Sequence, residues 1–197
     1  MSLNRFYVSG TVCSEPTYEY NYEGTNYYKF VLTVHRNNNK KKDNIPVIIP
    51  ETLVPIMNET VLIGGRIKTR KAGKKSVKTF LFANEIKRVT LPVKTKCSQH
   101  EINFGFLEGT VCRAPDLFKK NNKIKAELKL AVTYCRTGET AYVPLVFWQD
   151  NALFVKEVNI GDKMFVSGYL RSRHYYTKEG ALKGTHEVSV SQVKMLE

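Results

Sequence analysis

No stretch of this sequence stays apolar over the roughly 20 residues that a membrane-spanning helix requires. The opening residues, MSLNRFYVSGTV, lack the apolar centre and cleavage site of a secretory signal. A cytoplasmic protein with no membrane partner is therefore expected. Cysteine is scarce: Cys13, Cys97, Cys112 and Cys135 are the four present, and they are expected to be reduced thiols. Cys97-Ser-Gln-His100 has half of a zinc-ligand spacing, but no second pair follows it. No metal site and no cofactor are expected. The four histidines, His35, His100, His174 and His186, stand in no motif. There is no phosphate-cradling glycine loop, no HExxH and no GxSxG. An enzyme is not expected.

Acidic residues are also in deficit. Asp and Glu total 18 against 31 Lys and Arg, which gives a net charge of +13 and a pI near 9.6. That balance favours polyanionic partners, although a solubility surplus or an acidic protein partner would account for it as well. With 42% hydrophobic residues, the 197-residue chain can fold, as one large domain or two small ones.

What is present is a duplication. Gly10-Thr11-Val12-Cys13-Ser14-Glu15-Pro16 recurs as Gly109-Thr110-Val111-Cys112-Arg113-Ala114-Pro115. Phe30–Val34 matches Leu128–Val132, and Ile45–Ile49 matches Val143–Phe147. Val61–Arg70 matches Met164–Arg173, and Ala83–Lys87 matches Val190–Lys194. The order is kept while the offset drifts from 99 to 107 residues, a period that indicates duplicated domains. Each copy reads as about five short alternating strands with turn signals between them. A short helix is expected only in the second copy, over Asn151–Val158, because Pro50 and Pro55 disfavour one in the first. The expected fold is all-β: two tandem five-stranded OB barrels. Lobe 1 spans residues 1–91, a linker 92–99, and lobe 2 residues 100–197.

These residues resemble the bacterial single-stranded-DNA-binding protein family, and also the related primosomal replication protein N. Lobe 2 carries the fuller set: Asn103, Gly109, Pro115, Val146-Phe147-Trp148, Ala152, Gly161-Asp162 and the Val166–Arg173 strand. Tyr175, Tyr176, Gly180 and the Val188–Leu196 strand complete it. Lobe 1 matches in Asn4, Gly10, Pro16, Tyr20, Gly24, Gly65 and Arg70. The resemblance implies largely sequence-independent binding of single-stranded DNA in replication, recombination or repair. It implies stacking positions at Tyr142, Trp148 and Tyr175. Their lobe 1 counterparts, Asn44, Pro50 and Ala72, cannot stack, so base stacking is expected to concentrate in lobe 2. It further implies a homodimer with four OB lobes. The family's acidic recruitment tail is not expected, since the sequence ends at Glu197 after the last strand.

Single-strand binding needs cations for phosphates and flat π-faces for bases. Lobe 2 offers Tyr142, Trp148, Tyr175 and Tyr176 beside Arg171 and Arg173. Phe147 and Trp148 are adjacent on a strand and face opposite ways, so both cannot be core on one side, and Trp148 is expected as the surface platform. Lobe 1 looks more electrostatic, with 15 Lys/Arg against 7 Asp/Glu over residues 1–91, whereas residues 100–197 have 14 against 11. Its candidates are Lys40, Lys41 and Lys42, then Arg66, Lys68, Arg70, Lys71, Lys74 and Lys75. Tyr18, Tyr20 and Tyr22 are spaced by two, which would put them on one strand face as a substitute stacking surface, an edge ladder or a subunit contact. Tyr27 and Tyr28 belong to the same cluster. Two other functions stay open on sequence: an OB-fold replisome adaptor that binds protein, and an RNA-binding protein.

Overall fold

The computed structural model describes residues 3–36, 41–72, 77–89, 102–134, 137–176, 180 and 182–197; for 175, 176, 182 and 183 it describes the backbone alone. The chain divides into two compact units: residues 6–66 with 80–103, and residues 104–197 with 1–5 and 67–79. The expected linker, residues 92–99, lies outside the described residues, as do Cys97, Cys135 and His100.

Lobe 1 is built from β1 (Asn4–Val12), β2 (Thr17–Tyr22), β3 (Thr25–His35), β4 (Lys42–Pro50), β5 (Thr60–Lys71) and β6 (Val77–Arg88). Alternation drives each of them. Phe6, Val8 and Val12 on β1, then Phe30, Leu32 and Val34 on β3, point inward with almost no exposure. Ile45, Val47 and Ile49 on β4, with Val61, Ile63 and Leu81, close the same core. The pairing circuit runs β1–β3–β4–β6–β5 and back to β1, so the sheet closes on itself in the strand order of an OB barrel. β1 and β2 together do the work of one bent strand, which is why six segments make a five-membered barrel.

Lobe 2 repeats the circuit with β7 (Asn103–Lys120), β8 (Lys123–Thr133), β9 (Thr140–Trp148), β10 (Lys163–Tyr176) and β11 (Leu182–Leu196). Here the first strand runs through without a break, bent by irregularities between Val111 and Asp116. The expected helix is α1 (Asp150–Phe154), continued by a 3-10 turn over Val155–Glu157; Ala152 and Val155 plug the barrel end. In lobe 1 the matching segment is a single 3-10 turn, Glu51–Leu53, entered from Pro50.

Two repeated residues have specific structural work. Gly10 sits where β1 passes from pairing with β5 to pairing with β3, and a β-carbon there would collide with the Thr33 carbonyl oxygen. Gly109 stands in the same place against the Ala131 carbonyl. Asn4 bridges β1 to β5 with its amide: its Nδ2 donates to the Ile67 carbonyl at 2.9 Å, and its Oδ1 accepts from the Ile67 N–H at 2.8 Å. The side chain supplies a rung that the backbones leave unmade.

Candidate nucleic-acid interface

In lobe 2 the outward face of the β8–β9 pair forms the candidate surface. Odd-numbered residues of β9 (Ala141, Val143, Leu145, Phe147) fill the barrel, and the even ones, Tyr142, Pro144, Val146 and Trp148, point away from it. Phe147 is fully buried whereas Trp148 is 46% exposed, so the core member of that pair is Phe147. Tyr142 is 47% exposed on the same side as Trp148. Six residues of strand separate them by about 20 Å, several nucleotides of extended single strand. The groove between them is lined by Arg113, Glu127, Lys129, Pro144, Val146 and Arg173.

Charge in that groove is mixed. Arg173 lies 3.3 Å from Glu127 and 3.2 Å from Glu187, and Lys125 lies 2.6 Å from Glu127. A strand entering the groove must compete with these carboxylates for Arg173. Arg171 is placed differently: its guanidinium lies over the Tyr169 ring, 4.9 Å from the centroid. Tyr175 and Tyr176 end β10, and their side chains lie outside the described residues.

The β7–β8 hairpin adds cations that the sequence reading passed over. Asn121 and Asn122, with φ of 47° and 57°, make the tight turn that right-twisted strands require. Lys119, Lys120 and Lys123 are exposed around it, and Phe118 is 47% exposed. Lys125 reaches across to Phe118, its Nζ 4.6 Å from the ring centroid. Gln149 ties the hairpin to the end of β9: its N–H donates to the Ile124 carbonyl and its Oε1 accepts from the Ile124 N–H, both at 2.9 Å. The legible signal was Lys-Lys-Asn-Asn-Lys, a basic turn between two alternating runs.

In lobe 1 the nominated cations scatter. Lys41 and Lys42 are exposed at the start of β4; Arg70 and Lys71 are exposed at the end of β5. Lys40, Lys74 and Lys75 lie outside the described residues. Lys68 is ion-paired with Glu139 at 2.7 Å, inside the unit that holds residues 67–79 and 104–197. A phosphate that contacts Lys68 would share it with the Glu139 carboxylate.

The tyrosine cluster also needs correction. A bulge between Tyr18 and Tyr20 shifts the β2–β3 register, which breaks the period of two. Tyr18 meets Tyr28 edge-on at 6.2 Å, while Tyr20 stacks on Tyr27 at 5.0 Å with 22° between planes. Tyr27 and Tyr28 are neighbours on β3 and face opposite ways, so Tyr18 and Tyr20 do not share a face. Tyr22 pairs with Thr25, two rungs beyond Tyr20. Beside Tyr28 the Glu51 carboxylate accepts its hydroxyl at 3.4 Å, and that negative charge holds the phenol above its ordinary pKa.

Tyr27 continues the series across the same face to β6. Its ring lies 5.5 Å from Phe82, and the Arg66 guanidinium lies over the Phe82 ring, 5.2 Å from its centroid. Two nominated residues, Tyr20 and Arg66, are thus joined by Tyr27 and Phe82.

Among the described residues no group of three or more His, Cys, Asp or Glu side chains is placed to hold a metal ion, and no helix is long and apolar enough to cross a membrane.

Residues 102–196 match the model of the single-strand binding protein family. The chain is similar in structure to the wild-type single-stranded DNA binding protein from Thermus aquaticus, at TM-score 0.75 and 18% identity, covering 100% of this chain and 94% of that one. A deletion mutant of the same protein, lacking residues 228–252 and carrying an Arg-to-Ala change, matches at TM-score 0.74 and 19% identity, with 100% and 95% coverage. At that identity the likeness establishes the fold, and it extends over both lobes. No curated protein matches the sequence.

Proposed function

We propose that this chain is a single-stranded-DNA-binding protein, largely indifferent to sequence, that holds its strand by base stacking and phosphate contacts. The carrying observation is Trp148 and Tyr142, half exposed on one face of β9, in the lobe that matches the single-strand binding protein family. Such a face offers rings to unpaired bases only, because a duplex keeps its bases stacked on each other. The Lys119–Lys125 hairpin and the net charge of +13 supply the phosphate term. The role is that of a binding protein in replication, recombination or repair. It acts through two OB lobes, residues 1–91 and 100–197, joined by residues 92–99.

A titration with matched single- and double-stranded oligonucleotides at several salt concentrations tests this. Single strands should bind tighter, and with roughly five phosphates neutralised the slope of log K against log salt should be about −3.5. Equal or tighter duplex binding would reject the proposal. Tighter binding to RNA of the same length would reassign the physiological strand.

A closed two-fold dimer completes the proposal. Phe104, Phe106, Phe165 and Tyr169 form an aromatic cluster on the outward side of β7 and β10, with centroids 5.1–5.9 Å apart. Tyr169 is 37% exposed, and a second copy covering this cluster would bury its open edges. Light scattering should give twice the chain mass of 22.6 kDa; the single-chain mass at working concentration would refute the dimer.

A further inference from the structure

We infer that lobe 1 carries its own base-stacking platform, centred on Tyr27 and Phe82, where it lacks the aromatic positions of lobe 2. The inference rests on the single-strand binding proposed above.

The duplication allows the two lobes to be compared rung by rung. In lobe 2, Lys125 pairs with Trp148 across β8 and β9; in lobe 1 the corresponding rung pairs Tyr27 with Pro50 across β3 and β4. The aromatic ring has moved to the partner strand while the rung has kept one. Directly opposed residues have β-carbons about 5 Å apart, so a ring on either strand covers nearly the same patch of face. The neighbouring pair follows the same logic. Phe118 pairs with Lys125 in lobe 2, and Tyr20 pairs with Tyr27 in lobe 1.

The closing strand strengthens the case. Val146 pairs with Ser189 in lobe 2, whereas Ile48 pairs with Phe82 in lobe 1. Two residues earlier on the same strands, Glu187 of lobe 2 is replaced by Phe80. Glu127 is replaced by exposed Lys29, two residues beyond Tyr27 and on its face. At the two positions whose carboxylates hold Arg173 in lobe 2, lobe 1 thus has a lysine and a phenylalanine. Tyr20 stacks on Tyr27, Tyr27 lies tilted at 35° against Phe82, and the Arg66 guanidinium lies over the Phe82 ring. The ligand class is unpaired nucleobases on a phosphate backbone. The asymmetry expected from Asn44, Pro50 and Ala72 is a property of single positions, not of the face.

The full chain carrying Tyr27→Leu with Phe82→Leu tests the inference. Leucine keeps apolar contact and removes the π-face, and circular dichroism with a thermal melt establishes that the variant is folded. Binding of fluorescently labelled oligo-dT is read by anisotropy, with the occluded site size from stoichiometric titration and Trp148 fluorescence followed in parallel. The expected result is a shorter occluded site and affinity lower by about 5-fold to 150-fold for each base released. Quenching of Trp148 on saturation should persist, because lobe 2 is untouched. A folded double variant with wild-type affinity and site size overturns the inference and leaves single-strand binding intact. Loss of the Trp148 quench in that variant also counts against it, since the substitutions would then have disturbed more than a lobe 1 platform. Failure of the unmodified chain to bind oligo-dT at all would instead reject the proposed function.

Discussion

Replacing Trp148 by leucine isolates the stacking contribution of lobe 2. Alanine is the wrong choice on energetic grounds. A buried tryptophan hides up to about 250 Å², and Trp148 is 46% exposed, so about half of that is at stake. At about 25 cal/mol per Å², truncation to alanine would cost up to about 3 kcal/mol of stability, a large share of the 5–15 kcal/mol that typical domains possess. Leucine retains most of that apolar contact. What it lacks is the flat face, so binding to oligo-dT should weaken by about 1–3 kcal/mol. No charge changes, so the salt slope should stay within error of wild type, whereas one lost phosphate contact would reduce it by about 0.7. Anisotropy titrations at four or more salt concentrations separate the two terms. A folded Trp148→Leu protein that binds with wild-type affinity would refute the platform; one that binds weakly with a flattened slope would show that the residue acts on phosphate contacts instead.

Other expectations follow from the same geometry. Changing Lys119, Lys120 and Lys123 together to alanine should weaken every sequence alike and reduce the salt slope by about 0.7 for each effective contact; an unchanged slope would make the hairpin ordinary solvated surface. Asp43→Asn should destabilise lobe 1 by about 3 kcal/mol in urea melts, because Asp43 is fully buried and holds Arg36 through two bonds of 2.6 and 2.8 Å; a loss below about 1 kcal/mol would show that the pair is dispensable. Burial holds the Cys112 thiol above its ordinary pKa, so less of it is thiolate at neutral pH, and exposed Cys13 should be alkylated first in peptide mapping; the reverse order would refute this. Gly109→Ala should impair folding in both thermal melts and expression, since the Ala131 carbonyl occupies the space its β-carbon needs; a wild-type melting temperature would show that β7 can shift to accommodate it.

Much of the fold was legible in the sequence because barrels reward strict alternation. Phe30-Val31-Leu32-Thr33-Val34 and Leu128-Lys129-Leu130-Ala131-Val132 announce the same strand twice, and Pro50 and Pro55 correctly argued against a lobe 1 helix. Trp148 beside Phe147 was legible for the same reason: a strand has two sides, and only one can be core. The tyrosine cluster was not, because a bulge is one extra residue and leaves no mark on a spacing rule; it separated Tyr18 from Tyr20. The Tyr27–Phe82 contact was illegible in principle, since it joins β3 to β6 across 55 residues of sequence. Pro50 stands where a ring was expected, and the Tyr27 that faces it lies 23 residues away on β3. Ion pairs such as Lys68 with Glu139 were hidden in the same way.

Both barrels close through a parallel seam. Its described rungs are two in each lobe, Val47 with Leu81 and Ile48 with Phe82, then Leu145 with Val188 and Val146 with Ser189. The antiparallel β3–β4 and β8–β9 pairs, by contrast, each run through nine rungs. A short parallel seam is the part of a closed sheet with least to lose by opening, and local opening free energies follow such differences. Amide protons along β6 and β11 at these rungs should therefore exchange with solvent ahead of those in the long ladders. In lobe 1 one of these rungs carries Phe82 itself, so a base held on that ring should slow exchange at the seam when single-stranded DNA is bound.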